Sequence, residues 1–338
     1  MLNGSDLVTE YAATEALIEN LEQLQEIFNC WVPRLQKIKI KCGRHAPCAP
    51  PSPRVGSFFS GGVDSNYTLL RRKEEIDDLI VISGFDFDMA ADTFATVLNR
   101  LAPVAQAFGK MLLPMESNFI IFERACGLHR QLSFGSALSA HALALGHRKI
   151  FMPASLNYRQ LDPWGSHPLT DPLWSNGCTK LVHDGANARR IEKIEAIAHE
   201  RQLMDNLIVC WDDPNGNCGK CTKCLRTRVA LRVLGMQLPT FEPVTSMEPI
   251  KQLHPYTSAE TEFMFENLEY ARKNNDKEVI ATLTSILRRH AFRQSLIGLD
   301  DTILRGTLRK IFRKLRPPPP PPERLNFEHL KQRVTQVK

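Results

Sequence analysis

Hydrophobic spacing changes character several times along the chain. Between Leu7 and Gln36 a mostly polar segment carries Leu17, Ile18, Leu21, Leu24, Ile27 and Phe28 at helical intervals, which predicts one amphipathic helix. The proline-rich stretch Cys42 to Pro53 breaks any regular element and predicts a loop. From Val55 onward, short apolar runs alternate with helical patterns. Strands are expected at Val55–Phe59, Asp78–Phe85, Lys110–Met115 and Lys149–Pro153, with helices at about Asp64–Lys73, Phe94–Phe108 and Ser136–Leu145. Strands separated by helices of this length imply βαβ units and a parallel sheet, and right-handed crossovers then give a doubly wound α/β domain. After Leu234 the strand signals stop, and Glu260–Lys273 and Glu278–Gln294 read as helices. The expected organisation is an N-terminal helical arm with its loop (1–53), the α/β domain (54–235), a helical basic region (236–316), and a stiff polyproline segment, Pro317–Pro322, with a tail (317–338).

The chain has 338 residues, 43% hydrophobic and 24% charged. That is ordinary globular composition and excludes a largely disordered, collagen-like or coiled-coil protein. No apolar run is long enough for a membrane helix, and Met1–Glu10 lacks the basic and apolar regions of a signal peptide. A cytoplasmic location is therefore expected, and the nine cysteines need a reason other than disulfides. The net charge of +6 suits anionic small molecules or RNA without requiring either. From Arg288 to Arg316 the chain is strongly basic, with Asp300 and Asp301 its acids. Such a run could touch RNA phosphates, but charge runs are commonly solvated faces, so a small-molecule substrate is the first expectation.

The most informative segment is Ser57 to Leu70, SFFSGGVDSNYTLL. A buried strand delivers a Ser-Gly-Gly turn into a helix N-terminus, where close backbone approach, free N–H groups and the helix dipole favour an anion. The loop lacks the Gly-Lys-Ser/Thr of a Walker A motif and the G-x-G-x-x-G spacing of a dinucleotide fold. The bland alternative is an ordinary glycine turn with Asp64 as helix cap.

The second motif is CWDDPNGNCGKCTKC, with Cys210, Cys218, Cys221 and Cys224. Four thiolates at this spacing match a closed tetrahedral zinc site, with an iron–sulfur cluster as the rival. The segment Asn157 to Trp174 reads as a shaped recognition loop. Asn157, Tyr158, Arg159, Asp162, Trp164, His167 and Asp171 are its candidate substrate contacts, among prolines and tryptophans that pin its path. His183-Asp184-Gly185-Ala186-Asn187 then leads into a helix and is expected to cap it.

The string Ser60-Gly61-Gly62-Val63-Asp64-Ser65 resembles the PP-loop of the ATP pyrophosphatases, the adenine nucleotide alpha-hydrolase superfamily. The cysteine motif, Cys218-Gly219-Lys220-Cys221-Thr222-Lys223-Cys224, is similar to that of the 7-cyano-7-deazaguanine synthases. The resemblance covers about Val55 to Gly235 and departs in the Ala154–Trp174 segment, which leaves the acceptor open. It implies ATP cleavage to AMP and pyrophosphate with Mg2+, and Zn2+ on the four cysteines. Ser60, Gly61, Gly62, Asp64 and Ser65 would bind pyrophosphate. Gly84, Phe85, Asp86 and Asp88, with Ser133 and Gly135, would lie where the adenosine does in that family. Lys193-Ile194-Glu195 is similar in part to that family's Lys-x-Glu-Ile element, with Ala196 in place of the isoleucine, which makes Lys193 a candidate phosphate or adenylate contact; the alternative is an exposed helical lysine.

Three functions follow as expectations. One is adenylation of a carbonyl or carboxylate oxygen of a small, purine- or deazapurine-like substrate, followed by displacement with ammonia or an amine. A second is sulfur transfer to a nucleobase or tRNA through a persulfide on Cys178 or Cys126. The third, a nucleotide sensor without catalysis, is opposed by the intact loop. The residues ahead of the core are too few for a glutaminase domain, so ammonia or an amine is expected from outside. Asp64→Asn and Ser65→Ala are expected to weaken turnover with little loss of fold, both lying on an exposed loop.

Overall fold

The structure is a computed structural model that describes residues 1–2, 4–43, 50–85, 91–128, 130–210, 212–213, 215–303 and 307. By its contacts the chain forms two compact units, one of Met1–Glu123 with Leu128–Leu207, the other of Arg124–Gly127 with the chain from Ile208 onward.

In the first unit, strand β1 (Leu7–Thr9) pairs in parallel with β2 (Ile40–Cys42), and helix α1 (Glu15–Trp31) lies between them in sequence. The sequence reading places one long helix here. The observed helix is shorter, because Thr14 caps its start by accepting from the Leu17 N–H and Pro33 closes its end. There follow β3 (Ser52–Phe58), α2 (Val63–Arg71), β4 (Asp78–Ser83), α3 (Ala91–Ala107), β5 (Met111–Glu116), α4 (Phe119–Cys126), α5 (Arg130–Leu145) and β6 (His147–Pro153). A 3-10 turn at Asp171–Trp174, β7 (Lys180–Asp184), α6 (Arg190–Ile197) and α7 (Arg201–Asp205) complete it.

Strands β3 to β7 form one parallel five-stranded sheet in the order β5-β4-β3-β6-β7, flanked by helices. The chain thus winds outward from β3 through β4 to β5, then returns to the other side of β3 for β6 and β7. One sheet face carries Phe58, Ile80, Ile150, Met152 and Leu181, packed with Phe85 and with Ala137, Leu138 and Ala142 of α5. On the opposite face Phe151 lies beneath Arg72, which caps the end of α2. Each such large apolar side chain, removed from water, stabilises the unit by roughly 1.5–3 kcal/mol. At the strands' amino ends, buried Asp78 accepts hydrogen bonds from Arg54 and from His147 Nε2 at 2.8 Å. Burial opposes its ionisation, but these partners outweigh it and hold the carboxyl below its ordinary value.

Strand β7 is absent from the sequence reading, which treats His183 and Asp184 as a helix cap. They are the last two residues of β7, and α6 begins at Arg190. The run Lys-Leu-Val-His-Asp is too short and too polar to announce an edge strand by itself.

In the second unit, α8 (Thr222–Val233), α9 (Glu248–Lys251), α10 (Ser258–Lys273) and α11 (Lys277–Ile303) are all helical. Arg232 ties α8 to the start of α11 through Asp276 at 2.8 Å. Helix α11 runs past the expected Gln294. No helix among the described residues is long and apolar enough to cross a membrane. Pro317–Pro322 and the basic stretch after Thr307 lie outside the described residues.

Candidate functional site

The glycine loop follows β3 at the carboxyl edge of the sheet, where the strand order reverses between β3 and β6. In open α/β sheets this crevice is where ligands bind. Gly61 has φ +72°, and a Cβ there would meet Leu101 Cδ2 at 2.6 Å, so the position needs glycine. Gly62 is the N-cap of α2 and offers no side chain to bond the first-turn N–H groups. Asp64 therefore is not the cap; it lies one residue inside the helix. The loop is braced by its own serines: Ser65 Oγ donates to the Gly62 carbonyl at 3.2 Å and accepts from the Ser60 N–H at 3.3 Å, while Ser60 Oγ accepts from the Gly62 N–H. Asn66 donates to the Gly61 carbonyl at 3.2 Å.

The expectation of an exposed loop does not hold for two of its residues. Ser65 is 4% exposed. The Asp64 carboxylate is gripped from both sides, by Arg190 at 3.0 Å and by Lys193 Nζ at 3.0 Å. Lys193 is not a surface lysine but is 1% exposed, with a second bond to the Ala154 carbonyl at 2.5 Å and its ammonium 5.8 Å from the centre of the Tyr67 ring. Both cations come from α6, which packs beside α2. One turn of α6 thus delivers Arg190 and Lys193 to the same carboxylate. Sequence reasoning misses Arg190; its spacing of three from Lys193 on a helix is the signal that could have found it.

The other expected contacts separate. Gly84 (φ +73°) leaves no room for a Cβ beside the Ser117 carbonyl, and Phe85 is a core aromatic stacked on Phe119 at 5.0 Å. Asp86 and Asp88 lie outside the described residues. Ser133 and Gly135 are not in a loop at a strand end. They lie within α5, where Ser133 Oγ donates to Glu123 at 2.7 Å. Gly135 is where α5 meets the 155–179 loop, since a Cβ there would sit 1.9 Å from the Gly165 carbonyl. Gly135→Ala is therefore expected to displace that loop and cost about 1–3 kcal/mol, read as a fall in Tm of several degrees.

In the 155–179 loop, Tyr158 and Arg159 are exposed and Asp162 and Trp164 are partly covered. Asn157 is buried and braces the turn by accepting from the Arg159 N–H at 2.8 Å. His167 and Asp171 face inward. Asp171 is fully buried, and its carboxylate takes the Ser166 hydroxyl at 2.8 Å, the His167 N–H at 3.1 Å and His183 Nδ1 at 2.6 Å. His167 packs edge-on against Trp31 of α1 at 5.0 Å, and burial together with the nearby His183 pushes its pKa down. Two further bonds seat α1 on this loop, Thr14 Oγ1 to the Asn176 carbonyl and Asn20 Nδ2 to the Ser175 carbonyl. Cys178 is disulfide-bonded, which departs from the expectation that the cysteines serve other ends. Burial pushes the Cys126 thiol up.

In the second unit, the sulfurs of Cys210, Cys218, Cys221 and Cys224 all lie within 4.8 Å of one another. The Cys210–Cys221 and Cys218–Cys224 pairs are 3.9 and 4.0 Å apart. A tetrahedral ion with bonds of about 2.3 Å sets its sulfurs roughly 3.8 Å apart. The cluster could hold a metal ion such as zinc. Backbone N–H groups of Asp212, Asp213, Lys220, Cys221 and Cys224 point at its sulfurs. Burial opposes ionisation of Cys210, yet the surrounding N–H donors outweigh it and bring the thiol to about 7. Arg228 straps the knuckle by donating to the Gly219 carbonyl at 3.0 Å and to the Glu242 and Pro243 carbonyls. No protein-family model matches the chain, and no curated protein matches it.

Proposed function

We propose that the chain is an ATP pyrophosphatase of the doubly wound, adenine nucleotide alpha-hydrolase type, which transfers AMP to a carbonyl or carboxylate oxygen of a small substrate for displacement by ammonia or an amine. The observation that carries this reading is the constellation at the β3–α2 junction. An uncapped helix start and a glycine turn lie beside a carboxylate that two cations from α6 hold in place. Lys193 and Arg190 would shift part of their charge to phosphate oxygens when pyrophosphate leaves, and the α2 N–H groups would receive the same anion. The loop lacks the Walker lysine, so transfer of the γ-phosphate is not expected. Asp64 is the loop's carboxylate and with phosphate oxygens would hold Mg2+, whose charge neutralises the departing pyrophosphate.

Zinc is the metal we assign to the four cysteines. In an iron–sulfur cluster the thiolates bind different irons around a core of several atoms, whereas these sulfurs enclose room for a single ion. Its role would be structural, since four thiolates leave no open position. Sulfur transfer is the weaker reading. A persulfide carrier must be a free and ionisable thiol, while Cys178 is disulfide-bonded and Cys126 is shifted away from ionisation.

Product analysis with ATP labelled at the α- and γ-phosphates tests the chemistry. The chain is incubated with Mg2+, ammonium and a panel of purine and deazapurine carboxylates. AMP and pyrophosphate in equal amounts, dependent on the acceptor, are expected; ADP and phosphate as main products would refute the reading.

A further inference from the structure

The proposed displacement step needs a base for the attacking amine, and neither Lys193 nor Arg190 supplies one while charged. His183 is the last-but-one residue of β7 and pairs across the sheet with Met152. Its neighbour Asp184 accepts from the Ala154 N–H, and Ala154 in turn accepts from Lys193. The histidine therefore stands at the carboxyl rim of the sheet, next to the backbone that Lys193 grips. Alternation along the strand sends Asp184 toward Arg72 at the end of α2 and His183 to the other face, beneath the 155–179 loop. There Asp171, itself fully buried, takes the Nδ1 proton at 2.6 Å. Asp171 is locked in turn by Ser166 and the His167 N–H. Among the described residues no hydrogen bond engages Nε2 of His183, and Nε2 is not one of the fully buried orphan atoms. When the ring is neutral, the bond to Asp171 keeps its proton on Nδ1 and leaves Nε2 as the acceptor, a carboxylate-oriented histidine.

We propose that His183, oriented by Asp171, is the general base of the displacement step. This rests on the adenylation reading above. As the amine nitrogen bonds to the adenylated carbon, the carbon–oxygen bond to AMP breaks and its electron pair leaves on the phosphate oxygen. The proton shed by the nitrogen passes to His183 Nε2 and from there to solvent. Such a base contributes about 100-fold or more to the rate.

Two measurements test it. The first needs no acceptor: the wild-type chain is treated with diethyl pyrocarbonate at neutral pH, and each histidine is followed by mass spectrometry. His183 is expected to react faster than buried His147 and His167, and Asp171→Asn should slow it at least tenfold. An unreactive His183 overturns the proposal whatever the ATP chemistry proves to be. The second compares His183→Asn with wild type in the ammonium-dependent assay. The asparagine amide stands where Nδ1–H stands and keeps the bond to Asp171, but the variant has no Nε2. Ammonium-dependent product formation should fall about 100-fold, while pyrophosphate release in the first turnover and the melting temperature are retained. Equal product formation by the variant overturns the base role and leaves adenylation standing. ADP as the wild-type product overturns both.

Discussion

A Cys224→Ser variant is expected to lose its metal and to melt on the order of 10 °C below the wild type. Cys224 is fully buried and its sulfur lies 4.0 Å from that of Cys218, so serine substitutes a harder oxygen at nearly constant volume. Structural zinc contributes folding free energy directly, about 10–16 kcal/mol in isolated zinc-finger peptides. Here α8 starts at the knuckle, with Cys221 as its N-cap, and Arg228 already ties Gly219 to the Glu242–Pro243 turn, so only part of that is at stake. A loss of ~4 kcal/mol corresponds to roughly 8–16 °C in a domain of this size. Metal content by mass spectrometry and calorimetric melting provide the measurement. Wild type should carry one zinc per chain, and a chelator should bring its melting curve onto that of the variant. A variant that keeps a full equivalent of metal, or a wild type that purifies with iron, would overturn the zinc assignment.

A Lys193→Met variant is expected to lose AMP formation by 100-fold or more while remaining folded. Methionine keeps an unbranched apolar stem but removes the ammonium from Asp64, the Ala154 carbonyl and the Tyr67 ring. Preorganised charge of this kind is worth about 10²–10³ in rate. The accompanying stability loss should be smaller than that of Asp64→Asn. In Lys193→Met, Arg190 still neutralises Asp64, whereas Asp64→Asn takes from two buried cations the carboxylate they share. This reverses the sequence-based expectation that Asp64 can be neutralised cheaply. The comparison is read by thermal melting and by AMP release from labelled ATP. Wild-type turnover in Lys193→Met would remove the lysine from the mechanism.

Several features were legible in the sequence because they are local. The glycine turn is readable since only Gly61 tolerates its positive φ, and the amphipathic and buried periods of α2, α3, β3, β4 and β6 follow from which neighbours face the core. The four cysteines are readable since ligand spacing within fifteen residues already constrains them to one knuckle. Ser133 and Gly135 misled: their Ser-Phe-Gly-Ser run looks like a loop, but packing against Gly165 favours glycine and small side chains inside a helix.

What only the tertiary structure decided are contacts between residues far apart in the chain. Asp64 meets Arg190 and Lys193 across more than a hundred residues, because parallel β-strands bring their following helices side by side. Asp171 and His183 read separately, as a candidate substrate contact in the recognition loop and as part of a helix cap. They become an oriented pair only when Lys180–Asp184 adds to the sheet edge as β7 and the proline-pinned turn folds over it. Periodicity records which way a side chain points within its own element, and so the sequence by itself determined strands β3 to β6, the longer helices, the glycine turn and the four-cysteine set. Which charge stands opposite which depends on strand order and crossover, and no local pattern encodes that.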